Sequence, residues 1–232
     1  MKKTPRIACL HTAHSNIAVF DEAGLALGLP AGTLTHTVRP EFLAAAESAG
    51  YLPPEISDQS QALLLALLEE ADAVVSTCST LGPAVEALSP QVQARVLRVD
   101  AALAQAAVKQ GGHVAVLCAV QTTVAPTTAL FEAAARQTGA VPVVEVVPQA
   151  WALFKQGDLA GYTSLIATAV KAAYAGGADS VALAQSSMAP AATLVFESGT
   201  LPADKHGTLF TSPGAGLAAA LVAALQPRTS TV

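Results

Sequence analysis

Two stretches of this chain are near copies. "ADAVVSTCSTLGPA" at residues 71–84 returns as "ADSVALAQSSMAPA" at residues 178–191, an offset of 178 − 71 = 107. Asp72 falls on Asp179, Val74 on Val181 and Pro83 on Pro190 without a gap. The same offset sets "IACLHTAHSN" (7–16) on "VAVLCAVQTT" (114–123), and lays "LTHTV" (34–38) on "VPVVE" with at most a one-residue slip. One offset held across three separate segments means that one supersecondary plan is written twice.

Short apolar runs rich in Val, Ile and Leu read as strands at 6–11, 34–38, 73–77, 95–99, 113–118, 141–146, 180–184 and 208–212. Stretches of helical periodicity lie between them, at 58–70, 83–88, 101–110, 126–138, 149–155, 160–175 and 214–225. Strand–helix alternation predicts parallel sheets with right-handed crossovers. Hydrophobic residues make up 52% and charged residues 12%, which suits strands buried on both faces. The predicted fold is therefore α/β, with two pseudo-symmetric lobes. Each lobe is a parallel sheet flanked by helices, and the site lies in the cleft between them. The boundaries are residues 1–100 plus 208–232 for the N-terminal lobe and 101–207 for the C-terminal lobe. Asp72 and Asp179 are read as closing the turns before strands.

Charge and composition exclude several classes. The formal net charge is −5 with no basic run, so nucleic acid is not an expected partner. Mean hydropathy is +0.48, yet no apolar run reaches the roughly 18–20 residues that span a bilayer. "MKKTPRIACL" has no apolar stretch of signal-peptide length, and the expected location is the cytoplasm. Three cysteines, an odd number, fit reduced thiols better than a disulfide framework. No metal-ligand spacing of the CxxC or HExxH kind is present, so no metal is expected.

Ligands of open parallel sheets bind beyond the carboxyl ends of the strands. Those positions carry His11, Thr12, His14, Ser15 and Asn16, then Cys78, Ser79 and Thr80, then Gln121, Thr122 and Thr123, and finally Gln185, Ser186 and Ser187. The set is rich in hydroxyls and amides, holds one thiol and lacks carboxylates, which suits a small anion. Thr122 and Thr123 can equally cap the following helix. Cys9 and Cys118 lie within strands and are read as packing residues, and His36, His113 and His206 as structural or exposed.

"DAVVSTCST" resembles the strand–Cys–Ser–Thr segment of the aspartate/glutamate/hydantoin racemase superfamily. "VAVLCAVQTTVAP" resembles that family's strand followed by a Thr-rich turn, and "ADSVALAQSSM" sits where it carries a second strand–cysteine motif. The resemblance spans nearly the whole chain. It implies a cofactor-independent racemase or isomerase of an amino acid or related small carboxylate, working by thiol proton transfer, and a possible homodimer. Cys78 takes the place of one family cysteine. At the other, Asp179 plus six is Gln185, with Ser186 available after a one-residue shift. Cys78 is thus the expected acid/base group or nucleophile, with His14 as the opposite base. Thr12, Ser15, Asn16, Ser79, Thr80, Thr122, Thr123, Gln185, Ser186 and Ser187 are the expected substrate-binding residues. A single thiol also suits a decarboxylase or lyase of a malonate-type acid, as in the related arylmalonate decarboxylases. A non-catalytic carboxylate-binding protein is the third reading.

Overall fold

The structure is a computed structural model in which residues 5–199 and 208–226 are described. The strands are β1 (Ile7–His11), β2 (Leu34–Val38), β3 (Ala73–Ser76), β4 (Val96–Arg98), β5 (His113–Cys118), β6 (Val141–Val146), β7 (Ser180–Leu183) and β8 (Leu209–Thr211). The helices are α1 (Asn16–Ala26), α2 (Pro40–Ala49), α3 (Pro54–Glu70), α4 (Gly82–Glu86), α5 (Pro90–Gln93), α6 (Val99–Val108), α7 (Val124–Ala135), α8 (Ala150–Gln156), α9 (Leu159–Ala175), α10 (Pro190–Glu197) and α11 (Ser212–Leu225). The eight expected strands all form. Helices α1, α2, α5 and α10 lie outside the stretches read as helical.

The chain forms two compact units, residues up to Val99 with those from Gly216 on, and Asp100–Ala215. The first holds a four-stranded sheet of order β2-β1-β3-β4 and the second one of order β6-β5-β7-β8. All pairings are parallel. The central strands β1, β3 and β7 are buried along their whole length, while edge strand β6 alternates exposed and half-buried residues. Burial on both faces explains the unbroken apolar runs of the inner strands.

The repeat is realised at the level of register. Ile7 pairs with Ala73, and 107 residues on, Val114 pairs with Ser180. Ile7 also pairs with Leu34, whereas Val114 pairs with Pro142, which is the one-residue slip the sequence allows. The two aspartates play one part twice: the Asp72 carboxylate accepts from Arg6 N at 2.9 Å, and Asp179 from His113 N at 2.9 Å. Each ties the turn before an inner strand to the start of its neighbour, as expected.

The chain after residue 207 differs from expectation. It was assigned whole to the N-terminal lobe, but β8 hydrogen-bonds to β7 and completes the second sheet. It covers the edge of β7 just as β4 covers that of β3, because an uncovered inner strand would leave main-chain groups unpaired. Only the segment from Gly216 belongs to the first unit, where Leu217, Ala220 and Ala223 pack with Ile7, Cys9, Phe20, Ala73 and Val75. A Cβ on Gly216 would come within 2.9 Å of Val99 Cγ2 and 3.4 Å of Val75 Cγ1, so the glycine lets this helix ride close on β3.

Candidate active site

In an open sheet of order 2-1-3-4 the strand order reverses between β1 and β3, and ligands bind beyond the carboxyl ends of that pair. In the first unit these ends carry Thr12 and Cys78; in the second they carry Ala119 and Gln185. Cys78 is extended at φ −114° and ψ 119°, and its carbonyl accepts from Leu81 N at 3.1 Å, closing a 3-10 turn over Ser79–Leu81. Pro83 then opens α4. Gln185 has nearly the same backbone, φ −103° and ψ 144°, followed by a 3-10 turn over Ser186–Met188 and by α10, which Pro190 opens. The register is therefore settled: Gln185, not Ser186, stands at the structural place of Cys78.

The two residues are used differently. Cys78 is partly exposed, whereas Cys9 and Cys118 are fully buried, and none of the three is in a disulfide. Gln185 is tied down. Its Oε1 accepts from Ala119 N at 2.7 Å and its Nε2 donates to Thr123 Oγ1 at 3.1 Å. Thr123 in turn donates to Val120 O at 2.7 Å. Thr123 therefore does not cap α7, for its hydroxyl turns back to the strand end. An amide held at both ends clamps β5 to β7 and offers no titrating group.

The other expected residues fall into separate places. Thr12 is buried directly after β1, and Thr80 is partly buried in the turn after Cys78, whereas Ser79 is exposed. His14 and Ser15 are exposed on the turn before α1, and Asn16 begins that helix. Thr122 is exposed. Ser186 Oγ lies 3.4 Å from Ser212 Oγ. Ser187 Oγ lies 2.9 Å from the hydroxyl of Tyr162, a buried ring whose phenol burial pushes up to about 12. The structure brings Gln185 and Thr123 into direct contact, and engages Ser186 and Ser187 with partners the sequence did not indicate.

A second polar group joins His11, expected at the strand end, to His36, a contact the sequence does not indicate. His11 is fully buried, with Phe20 edge-on to its ring at 5.2 Å. Its Nδ1 lies 2.9 Å from Thr77 Oγ1, and its Nε2 lies 2.9 Å from His36 Nδ1. His36 Nε2 reaches Asp21 Oδ1 at 3.1 Å, and Thr77 Oγ1 donates to Leu10 O at 2.9 Å. Burial first, then the neighbouring His36, pushes the His11 imidazole down from 6.5 to about 4, with Asp21 opposing. Cys9 completes the cluster, its Sγ and the two ring nitrogens lying within 4.8 Å of one another. Those nitrogens already face each other in a hydrogen bond, and burial pushes the Cys9 thiol up to about 12, so the cluster is not poised to take a cation. The period of two puts Cys9 and His11 on one face of β1, and Cys9 pairs with His36 across the sheet. A single sequence shows the first relation but not the second, because strand pairing is a tertiary fact.

The profile of the Asp/Glu/hydantoin racemase family matches residues 29–198. No curated protein matches the sequence. Among solved structures, the aspartate racemase of Picrophilus torridus is similar at 14% identity and TM-score 0.66, covering 94% of both chains. An aspartate racemase homologue from Pyrococcus horikoshii OT3 is similar at 13% identity and TM-score 0.65, over 96% of this chain and 100% of that one. Allantoin racemase from Klebsiella pneumoniae follows at 14% identity and TM-score 0.61, over 94% and 86%. At such identities the structures speak to the fold. The profile match over most of the chain, on the duplicated parallel sheets just described, shows that the protein belongs to the Asp/Glu/hydantoin racemase family.

Proposed function

We propose that the carboxyl ends of β1 and β3 form a cofactor-independent isomerase site. There Cys78 transfers a proton at the α-carbon of an amino acid or related small carboxylate. The observation that carries this reading is the position of Cys78: a partly exposed thiol beyond β3, at the reversal of strand order. A thiol titrates near ambient pH, so it can take up the α-proton as thiolate or give one as thiol. Thr12 and Thr80, with Ser79 at the rim, supply donors for a carboxylate and for the charge that develops as the proton leaves.

Racemisation needs a base on each face of the α-carbon. His14, exposed on the turn before α1, is the candidate for the second. The clamped amide of Gln185 favours a second reading, in which Cys78 serves one face only. It would then protonate the carbanion left when a malonate-type acid loses CO2.

Proton NMR in D2O with a panel of amino acids, hydantoins and malonate-type acids tests both. Loss of the α-proton signal with inversion, abolished by Cys78→Ala, supports the racemase. Exchange with retention, or loss of CO2 to give one enantiomer, supports the one-face reaction. Full turnover in Cys78→Ala refutes both, and ligand binding without exchange or CO2 loss across the panel replaces them with a carboxylate-binding protein.

A further inference from the structure

The two units end their inner strands alike. Leu10 O accepts from Thr77 N at 3.0 Å, and 107 residues on, Leu117 O accepts from Ala184 N at 3.0 Å. In the loops that follow, Ala13 O accepts from Asn16 N at 3.2 Å and Val120 O from Thr123 N at 3.1 Å. Cys78 and Gln185 have nearly the same backbone conformation. Thr12 therefore stands at the place of Ala119 (119 − 12 = 107), and Asn16 at that of Thr123 (123 − 16 = 107).

On this common frame one donor is treated differently. In the second unit the Ala119 N–H meets Gln185 Oε1 at 2.7 Å. In the first unit the matching N–H belongs to Thr12, which is 6% exposed, and it donates to no group among the described residues. Cys78 cannot supply the acceptor, because its side chain stops at the γ atom and the glutamine carboxamide begins at the δ carbon. Buried main-chain N–H groups are almost always paired, and an unpaired one at a ligand-binding strand end is a donor held for a ligand. The far end of the place has changed in step. Thr123 has its proton committed to Val120 O, so toward Gln185 it only accepts, which suits an amide N–H. Asn16, half-buried, brings a carboxamide that can donate, which suits an oxygen.

We propose that a carboxylate of the ligand takes, in the first unit, the place that the Gln185 carboxamide fills in the second. One oxygen accepts from the Thr12 main-chain N–H and the other from the Asn16 side chain. Carboxylate and carboxamide share a planar shape and size, and exchanging the amide nitrogen for oxygen is matched by exchanging Thr123 for Asn16. The place begins just beyond Cys78 Sγ, so the carbon bearing the carboxylate is brought against the thiol. The second unit fills its own place with Gln185, so each chain takes one carboxylate in this way. The inference rests on the ends of β1 and β3 being the ligand site, and not on proton transfer by Cys78.

Nitrogen-15–proton NMR of the full chain, titrated with sodium malonate and with sodium chloride at equal ionic strength, reads the Thr12 amide. Its proton signal is expected to move downfield with malonate and not with chloride, because the N–H gains a charged acceptor. Asn16→Ala should raise the malonate Kd about tenfold or more, the loss of one hydrogen bond to a charged group. Cys78→Gln writes the second unit's arrangement into the first. Its Thr12 amide should sit downfield without malonate and no longer respond to it, whereas Cys78→Ser keeps the response. Cys78→Gln should also melt at least about 2 °C above Cys78→Met, a side chain of equal length without the carboxamide. A wild-type Thr12 amide that malonate leaves unmoved overturns the proposal, as does a Cys78→Gln variant that responds to malonate like the wild type. A malonate-dependent Thr12 shift without exchange or CO2 loss across the substrate panel supports this subsite and removes Cys78 as a proton carrier.

Discussion

Substitution of Gln185 by alanine measures what the residue at the second cysteine's place now does. Truncation leaves Ala119 N–H, buried at the end of β5, without its 2.7 Å acceptor, and Thr123 Oγ1 without its 3.1 Å donor. A buried N–H left unsatisfied costs about 1–3 kcal/mol. The hydroxyl keeps its own donation to Val120 O and so loses only one accepted bond, about 0.5–1 kcal/mol. The expected total is about 1.5–4 kcal/mol, which for a chain of this size lowers Tm by about 3–16 °C. Thermal denaturation followed by circular dichroism reads the shift. Gln185→Glu adds a second arm. It keeps an acceptor for Ala119 N–H but turns a carboxylate oxygen toward Thr123, whose proton is committed to Val120 O. It should restore only the Ala119 share of the loss. A Tm for Gln185→Ala within about 1 °C of wild type would refute the clamp, and would return Gln185 to the set of groups free to meet a substrate.

Two further outcomes follow from the same geometry. The folded-state value of His11 lies below its ordinary one, 6.5 against about 4, so the unfolded chain binds more protons between those limits. The stability it contributes is full above pH 6.5 and is lost as pH falls toward 4. The loss is about 3.5 kcal/mol at roughly 1.4 kcal/mol per pH unit, and the Tm–pH curve of His11→Gln should be flatter over that window. Gln149, exposed ahead of α8, has φ 66°, the one positive value outside glycine among the described residues. Gln149→Val should therefore destabilise by about 1–2 kcal/mol, with Gln149→Gly near neutral. Equal unfolding midpoints in urea for the two variants would remove the strain argument.

Much of the protein was legible before folding. The constant offset of 107 announced two sheets of one topology, because a repeated strand–turn–helix plan has one way to pack. The alternation of apolar runs with helical stretches gave the strands, because strands buried on both faces have no polar positions to hide them. The thiol of Cys78 was legible too, since a strand end inside a repeat is a position that single-sequence reading can place. The partition of β8 was not. Its strand is short and apolar like any other, and only hydrogen bonding to β7 decides which sheet owns it. Nor could the sequence say what Gln185 does, because an amide is free or clamped according to what the neighbouring strand end offers it. The His11–His36 pair stands furthest from sequence reading. Twenty-five residues separate the two rings, and they meet only because Cys9 pairs with His36 in a parallel register set by the whole sheet. Local pattern writes which residues face inward; pairing between distant strands decides which of those faces meet.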